Sequence, residues 1–302
     1  MSFTTNYLVP FLADNAFLLV ITFLVMLLAR HLLRSTTPPP PVATPGSNKN
    51  MRASKTDTER VEPEDDDNNE DEEDLLPPIW PDDLKQIPYI HTRLTVEESE
   101  KKSLQFYNQM NARRSVRFFS SDPVSRTVVE NIIRTAGTGP SGAHTEPWTF
   151  VAVCDPDVKL QIRDIVEAEE EINYTKRMGK QWVADLKALK TTWVKEYLTE
   201  APWVLLVFKQ AYSTLPDGRK RTHYYHEIST ALASGLLLAA IQYAGLVTLT
   251  STPLNCGPAL RSLLDRPQNE KLLLLLPLGY PSATATVPSL KRKPLEDIMV
   301  VV

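Results

Sequence analysis

A chain of 302 residues with 33 Lys plus Arg and 37 Asp plus Glu carries a net charge of −4, and 42% of its residues are apolar. Those figures exclude a wholly disordered chain and a polytopic membrane protein. With no strong basic excess and no Lys/Arg run, nucleic acid is not an expected partner. The total also conceals a split: residues 1–100 hold 8 basic and 18 acidic side chains, residues 101–302 hold 25 and 19. Two cysteines, Cys154 and Cys256, exclude a disulfide scaffold and suit a reducing compartment.

The first element is an apolar run, Ala16 to Ala29, fourteen residues without a charge. Extended through Leu33, it reaches the length of a short membrane-spanning helix, with Arg30 able to snorkel its charge to the headgroups. No Lys or Arg precedes the run and no small-residue cleavage site follows, so a retained anchor (1–34) in contact with membrane lipid is expected rather than a signal peptide. The nearby basic residues all follow the span, which places the C-terminal bulk in the cytosol. Residues 35–92 read as a disordered linker: four prolines at 38–41, then twelve acids and one base between Asp57 and Asp74. Leu75–Trp80 and Pro88-Tyr89 are where docking onto a folded body is expected to begin.

The folded body is expected over 93–302. Thr95-Val-Glu-Glu98 is a capping box, followed at helical spacing by Leu104, Tyr107 and Met110. Ser125 opens a second helix with Val128, Val129, Ile132 and Ile133 on one face. Thr149–Cys154 reads as a strand, and two long helices are expected at 157–178 and 181–199, parted by Gly179. Trp203–Phe208 reads as a buried strand. His226–Tyr243 is a core helix: its apolar stretch is too short for a span and a strand signal follows it. Leu246–Thr250 and the five consecutive leucines Leu272–Leu276 are further strands. Such a mixture gives an α/β or α+β sheet domain.

Several constellations carry chemistry. Gly137-Thr-Gly139-Pro-Ser-Gly142 fits G-x-G-x-x-G, but it follows a helix and leads into a strand, the reverse of a dinucleotide fingerprint. No P-loop and no metal-ligand spacing occurs, so no metal is expected. Arg113, Arg114 and Arg117 place three guanidiniums within five residues, able to grip a phosphate by forked hydrogen bonds, with Lys291-Arg292-Lys293 as a second basic cluster. The loop Pro140–Trp148 is rich in small residues and suits close approach of a planar ligand to the main chain. Thr250-Ser251-Thr252 offers three hydroxyls at a strand end. Together these suggest a flat, phosphorylated cofactor. Glu167, Glu169, Glu170, Glu171 and Tyr174, with Lys195 on the next helix, read either as a charged, solvated hairpin or, with Glu170 and Tyr174 four apart on one face, as a carboxylate, phenol and ammonium set suited to an amino-acid zwitterion.

The segments RRSVRFF, RTAGTGPSGAHTEPWTFV, EEEINYTKRMG, WVKEYL, TSTPLNCGP and ATVPSLKRKPL resemble, in order, the FMN-dependent nitroreductase superfamily, and within it a branch that removes iodide from iodotyrosines. The resemblance implies an α+β fold with a mixed sheet flanked by helices, in a homodimer that exchanges terminal segments and holds FMN at its interface. It implies that Arg113, Arg114, Ser115, Val116, Arg117 and Arg292 bind the cofactor, with Ser141 and Gly142 from the other subunit. Thr250, Ser251 and Thr252 would line the N5 side of the flavin, the Thr252 hydroxyl acting as the catalytic hydrogen-bond donor to N5. Glu170, Tyr174 and Lys195 would clamp mono- or diiodotyrosine, and the Ala143 N–H would bind the phenolate. An NADPH-dependent reductase partner would supply electrons, because the chain has no dinucleotide fold of its own. The resemblance and the anchor together imply a single-pass protein of a plasma or vesicle membrane that salvages iodide. A broad nitroreductase or quinone reductase and a non-enzymatic membrane adaptor are the alternatives.

Overall fold

Two apolar runs form the middle of the sheet, β2 (Trp203–Gln210) and β6 (Glu270–Gly279). In the computed structural model, which describes residues 75–302, the sheet order is β1-β2-β6-β5, with β1 at Trp148–Val153 and β5 at Val247–Thr248. The expected anchor at 15–33 and the acidic block at 57–74 lie outside the described residues. Among the described residues, no helix is long and apolar enough to cross a membrane.

Side chains alternate across a strand, so a continuous apolar run serves two cores at once. Val204, Leu206 and Phe208 of β2 face one cluster, and Leu205 and Val207 face the other. Leu206 is opposite Leu275 and Leu205 opposite Leu276, so β6 divides its leucines in the same way. One face is covered by α3 (Pro156–Ile172), α5 (Tyr197–Glu200) and α7 (Gly257–Leu263), through Ile162, Val166, Leu198 and Leu260. The other is covered by α2 (Arg126–Ala136) and α6 (His226–Tyr243), through Val129, Ile132, Leu237 and Ile241. The ladders are antiparallel, and a parallel bridge from Ser115 to Thr248 makes the sheet mixed, as the α+β expectation required. Leu206 is fully buried between strand partners and helices, so Leu206→Ala is expected to lower unfolding free energy by about 3 kcal/mol in chemical denaturation.

Helix α1 (Val96–Asn111) begins at the expected capping box: Glu98 N–H donates to Thr95 Oγ1 (3.2 Å), and Thr95 N–H donates to Glu98 Oε2 (3.0 Å). Its residues Leu104, Phe106 and Tyr107 are all exposed among the described residues. Helix α6 has the expected bounds and a buried core face, yet Ile228 and Leu232 on it are exposed. Gly137 caps α2, and the loop after it runs into β1, so the glycine motif is not a dinucleotide fingerprint.

Three expectations need correction. The helix expected at 181–199 is broken: α4 covers only Lys180–Lys187, Lys190 turns left-handed (φ 53°), and α5 is a single turn. Lys195, placed on a helix by the sequence, lies in the irregular stretch between them. Its N–H donates to the Glu167 carboxylate (2.6 Å), a tertiary bond that replaces a helical one, and the β-branched pair Thr191-Thr192 weakens helix continuation. The preceding helix likewise ends at Ile172 and passes into a π turn, Asn173–Arg177. The strand expected at Leu246–Thr250 is two residues long, with Ser251 rejoining Leu275 as an isolated bridge. The hairpin β3 (Tyr212–Thr214) to β4 (Lys220–Thr222) and helix α7 were not anticipated.

Candidate functional site

The chain leaves α1 as an extended segment pinned to the sheet. The Val116 N–H donates to the Thr248 C=O (3.1 Å), and the Val116 side chain is buried. Alternation then turns Ser115 and Arg117 away from the core. The C-terminal stretch comes back over this segment: Arg292 donates to the Arg113 C=O (2.9 Å) and Asn111 Oδ1 (3.0 Å), and Arg114 donates to the Pro288 C=O. Between them lies a cleft of about 1340 Å³ lined by Arg113, Arg114, Ser115 and Arg117 on one side and Lys291, Arg292 and Lys293 on the other. Apolar walls come from Tyr107, Leu189, Pro288, Leu290, Leu295 and Ile298, and among the described residues no acid lines it. Burial, then the charges of Arg292 and Arg114, push the Arg113 pKa below the usual arginine value. Such a crowd of cations matches the charge of a phosphate, and the apolar walls suit a flat ring, so the residues present fit FMN.

The second cluster is buried and internally paired. Lys195 Nζ lies 3.4 Å from Glu170 Oε2, with side chains only 5% and 10% exposed, and 5.5 Å from the centre of the Tyr174 ring. Lys195 Nζ also donates to the Thr192 C=O (2.6 Å). Burial lowers the Lys195 pKa, and Glu170 partly opposes that. Burial, followed by the Glu170 charge, raises the Tyr174 pKa. Arg117, which lines the cationic cleft, acts electrostatically on Tyr174, Lys195 and the buried Tyr197, so the two clusters adjoin.

The loop before β1 is held in an unusual backbone. Ala143, His144 and Glu146 all have positive φ (49°, 54° and 47°), at a cost of order 1 kcal/mol each. Neighbouring bonds hold it: Glu146 N–H donates to Ser141 Oγ (2.9 Å), and the Trp80 indole N–H donates to the Ala143 C=O (2.9 Å). Trp80 therefore docks as expected, whereas Tyr89, expected to dock as well, is exposed. At Gly142 a Cβ would come within 3.0 Å of the Tyr224 carbonyl oxygen, which explains the glycine. Ser141, Gly142 and Ala143 do not line the cationic cleft of their own chain. Ser251 is bonded to Leu275 through both its N–H and C=O, leaving Thr250 and Thr252 exposed on either side. Trp80→Phe keeps an aromatic ring but removes the N–H, and is expected to raise trypsin cleavage after Lys85 by about fivefold, since about 1 kcal/mol of docking is lost.

The structure thus brings Arg113, Arg114, Ser115, Arg117 and Arg292 together, and Glu170, Tyr174 and Lys195 beside them, but keeps Ser141–Ala143 apart. Sequence reasoning missed Tyr197, Asn173 and His223. Tyr197 lies in a segment read only as helix. His223 is buried with neither ring nitrogen hydrogen-bonded among the described residues, and nothing in its local sequence signals that.

The Nitroreductase family profile matches residues 110–280, and the chain belongs to that family. Within it the chain is similar to the iodotyrosine deiodinases. It is 63% identical over 221 residues to iodotyrosine deiodinase of Danio rerio, covering 73% of this chain and 75% of that one. Against iodotyrosine deiodinase 1 of Homo sapiens it is 61% identical over 221 residues, covering 73% and 76%. Among solved structures, oxidized iodotyrosine deiodinase bound to FMN and 3-iodo-L-tyrosine superposes with a TM-score of 0.56 at 29% identity, over 65% of this chain and 97% of that one.

Proposed function

We propose that this chain reductively removes iodide from mono- and diiodotyrosine with FMN as cofactor, which makes it an FMN-dependent oxidoreductase that salvages iodide. The observation that carries the reading is the buried Glu170–Lys195 pair over Tyr174, set beside the Arg117 edge of the cationic cleft. FMN, when bound and reduced, would supply two electrons, which with one proton from water convert the carbon–iodine bond to carbon–hydrogen and iodide. Arg113, Arg114, Ser115, Arg117 and Arg292 hold its phosphate and ring edge, and the Val116 backbone sets the segment's reach. Glu170 takes the substrate ammonium, while Lys195 and Tyr174 take its carboxylate. Because burial raises the Tyr174 pKa, the phenol stays protonated at neutral pH and donates its hydrogen bond. The apo pair of Glu170 and Lys195 stands in for those two contacts, so substrate exchanges one set of buried charge pairs for another. The Ala143 N–H would bind the substrate phenolate, and the Thr252 hydroxyl would donate to flavin N5. The segment around α4 folds over the substrate and excludes water.

Ser141, Gly142 and Ala143 are assigned to the cofactor and substrate of a second subunit in a homodimer with exchanged terminal segments. The exposed apolar residues Leu104 and Phe106 of α1, Ile228 and Leu232 of α6, and the C-terminal Ile298–Val302 support that assembly. An NADPH-dependent reductase is the proposed electron source. The span at 15–33 is the proposed contact with membrane lipid, in a plasma or vesicle membrane with the catalytic domain cytosolic. The test is anaerobic mixing of dithionite-reduced, FMN-loaded protein with diiodotyrosine. Stoichiometric iodide and tyrosine are expected, and failure to release iodide would overturn the assignment.

A further inference from the structure

A buried asparagine joins the two halves of the site. Asn173 is 1% exposed and follows α3 directly, at the start of the π turn. Its side-chain NH2 donates to Glu170 Oε1 (3.3 Å) and to the Leu254 C=O (3.4 Å). Its Oδ1 accepts from Arg177 Nη1 (3.0 Å) and from Asn255 Nδ2 (3.4 Å). The amide orientation is determined by its partners, since the Leu254 carbonyl can only accept and Arg177 can only donate. The carboxamide therefore links Glu170 and the π turn to the turn at 254–255.

That turn begins two residues after Thr252. Asn255 sits left-handed there (φ 64°), and Cys256 opens α7. The turn is thus anchored on one side by the Ser251–Leu275 bridge and on the other by Asn173. A packing role alone would be met by an apolar residue of similar volume, without burying a polar amide.

We propose that Asn173 is a positioning residue: it aims the Glu170 carboxylate at the substrate ammonium and ties that aim to the placement of the Thr250–Thr252 hydroxyls. The proposal rests on the deiodinase reading above. The bond to Glu170 governs recognition of the amino-acid group. The bonds to Leu254 and Asn255 govern the reaction step. Substrates that lack the ammonium make no use of the first.

The experiment uses the FMN-loaded full chain, with Asn173→Leu to keep volume and Asn255→Gly to keep the left-handed backbone. Dissociation constants for diiodotyrosine and for 2-iodophenol are read from flavin fluorescence, bound FMN from absorbance, and single-turnover iodide release from the dithionite-reduced protein. Asn173→Leu is expected to retain FMN, weaken diiodotyrosine by about tenfold and leave 2-iodophenol within about twofold. Asn255→Gly is expected to slow iodide release about threefold at saturating diiodotyrosine with its dissociation constant unchanged. If Asn173→Leu does not fold, Asn173→Ser is measured with the same expected ratio. Equal weakening of both ligands, no weakening, or an unaltered release rate in Asn255→Gly would overturn the positioning role alone. A wild-type protein that does not bind diiodotyrosine would overturn the deiodinase reading and this role with it.

Discussion

Glu170→Gln is expected to raise the dissociation constant for diiodotyrosine by about 100-fold while FMN stays bound, because one member of a buried charge pair is worth several kcal/mol. The carboxylate lies 3.4 Å from Lys195 Nζ in a nearly closed pocket. Removing its charge takes away both the ammonium ligand and the main group that keeps Lys195 protonated against burial. The Lys195 pKa, already below the usual lysine value, then falls further. Binding of the substrate carboxylate needs charged Lys195, so affinity is lost as pH rises through that pKa, and the loss begins at a lower pH in the variant. Flavin fluorescence titrated across pH 6–10 with diiodotyrosine measures both effects. Loss of flavin from the variant, or an unshifted profile, would count against the clamp.

For Arg113→Met the expected result is an FMN affinity lower by about 30- to 100-fold, the scale of a lost charge-assisted fork to phosphate. The stem is preserved, so packing changes little. The Arg113 carbonyl still accepts from Arg292, so the C-terminal stretch keeps its grip. The flavin-free variant should not melt below flavin-free wild type, because burial and the neighbouring Arg292 and Arg114 charges disfavour this guanidinium when no anion is present. Isothermal titration with FMN at two salt concentrations, alongside thermal melts of both flavin-free proteins, checks the pair of claims. A variant that binds FMN normally would remove Arg113 from the cofactor site. One that melts well below wild type would make its role structural.

Much of the fold was legible because local rules and tertiary demands agree. The Thr95 capping box satisfies orphan helix donors with side chains three residues apart, and no distant partner is needed. The buried run at Val204–Phe208 admits little except an inner strand, and His226–Tyr243 kept its expected bounds. The basic cluster was legible for a similar reason: Arg113, Arg114 and Arg117 are neighbours in the chain, so any extended backbone gathers them. Where local preference lost to a distant bond, the reading failed. The stretch at 188–196 left the helix to place Lys195 against Glu167 and Glu170, partners more than twenty residues earlier in sequence.

The sequence by itself determined which chemical groups are available, the α+β pattern of apolar runs, and the separation of an acidic N-terminal third from a cationic body. Periodicity, capping and charge density are properties of neighbours, and neighbours are what a sequence records. Tertiary structure alone decided that Lys291–Lys293 would meet Arg113–Arg117, that the Glu170–Lys195 pair would be buried beside Arg117, and that Asn173 would reach Leu254 and Asn255. Those contacts span up to about 180 positions, and no local propensity encodes them. They form only when both sheet faces are covered, because burial of the apolar strands is what brings the charged and polar ends of distant segments to one edge.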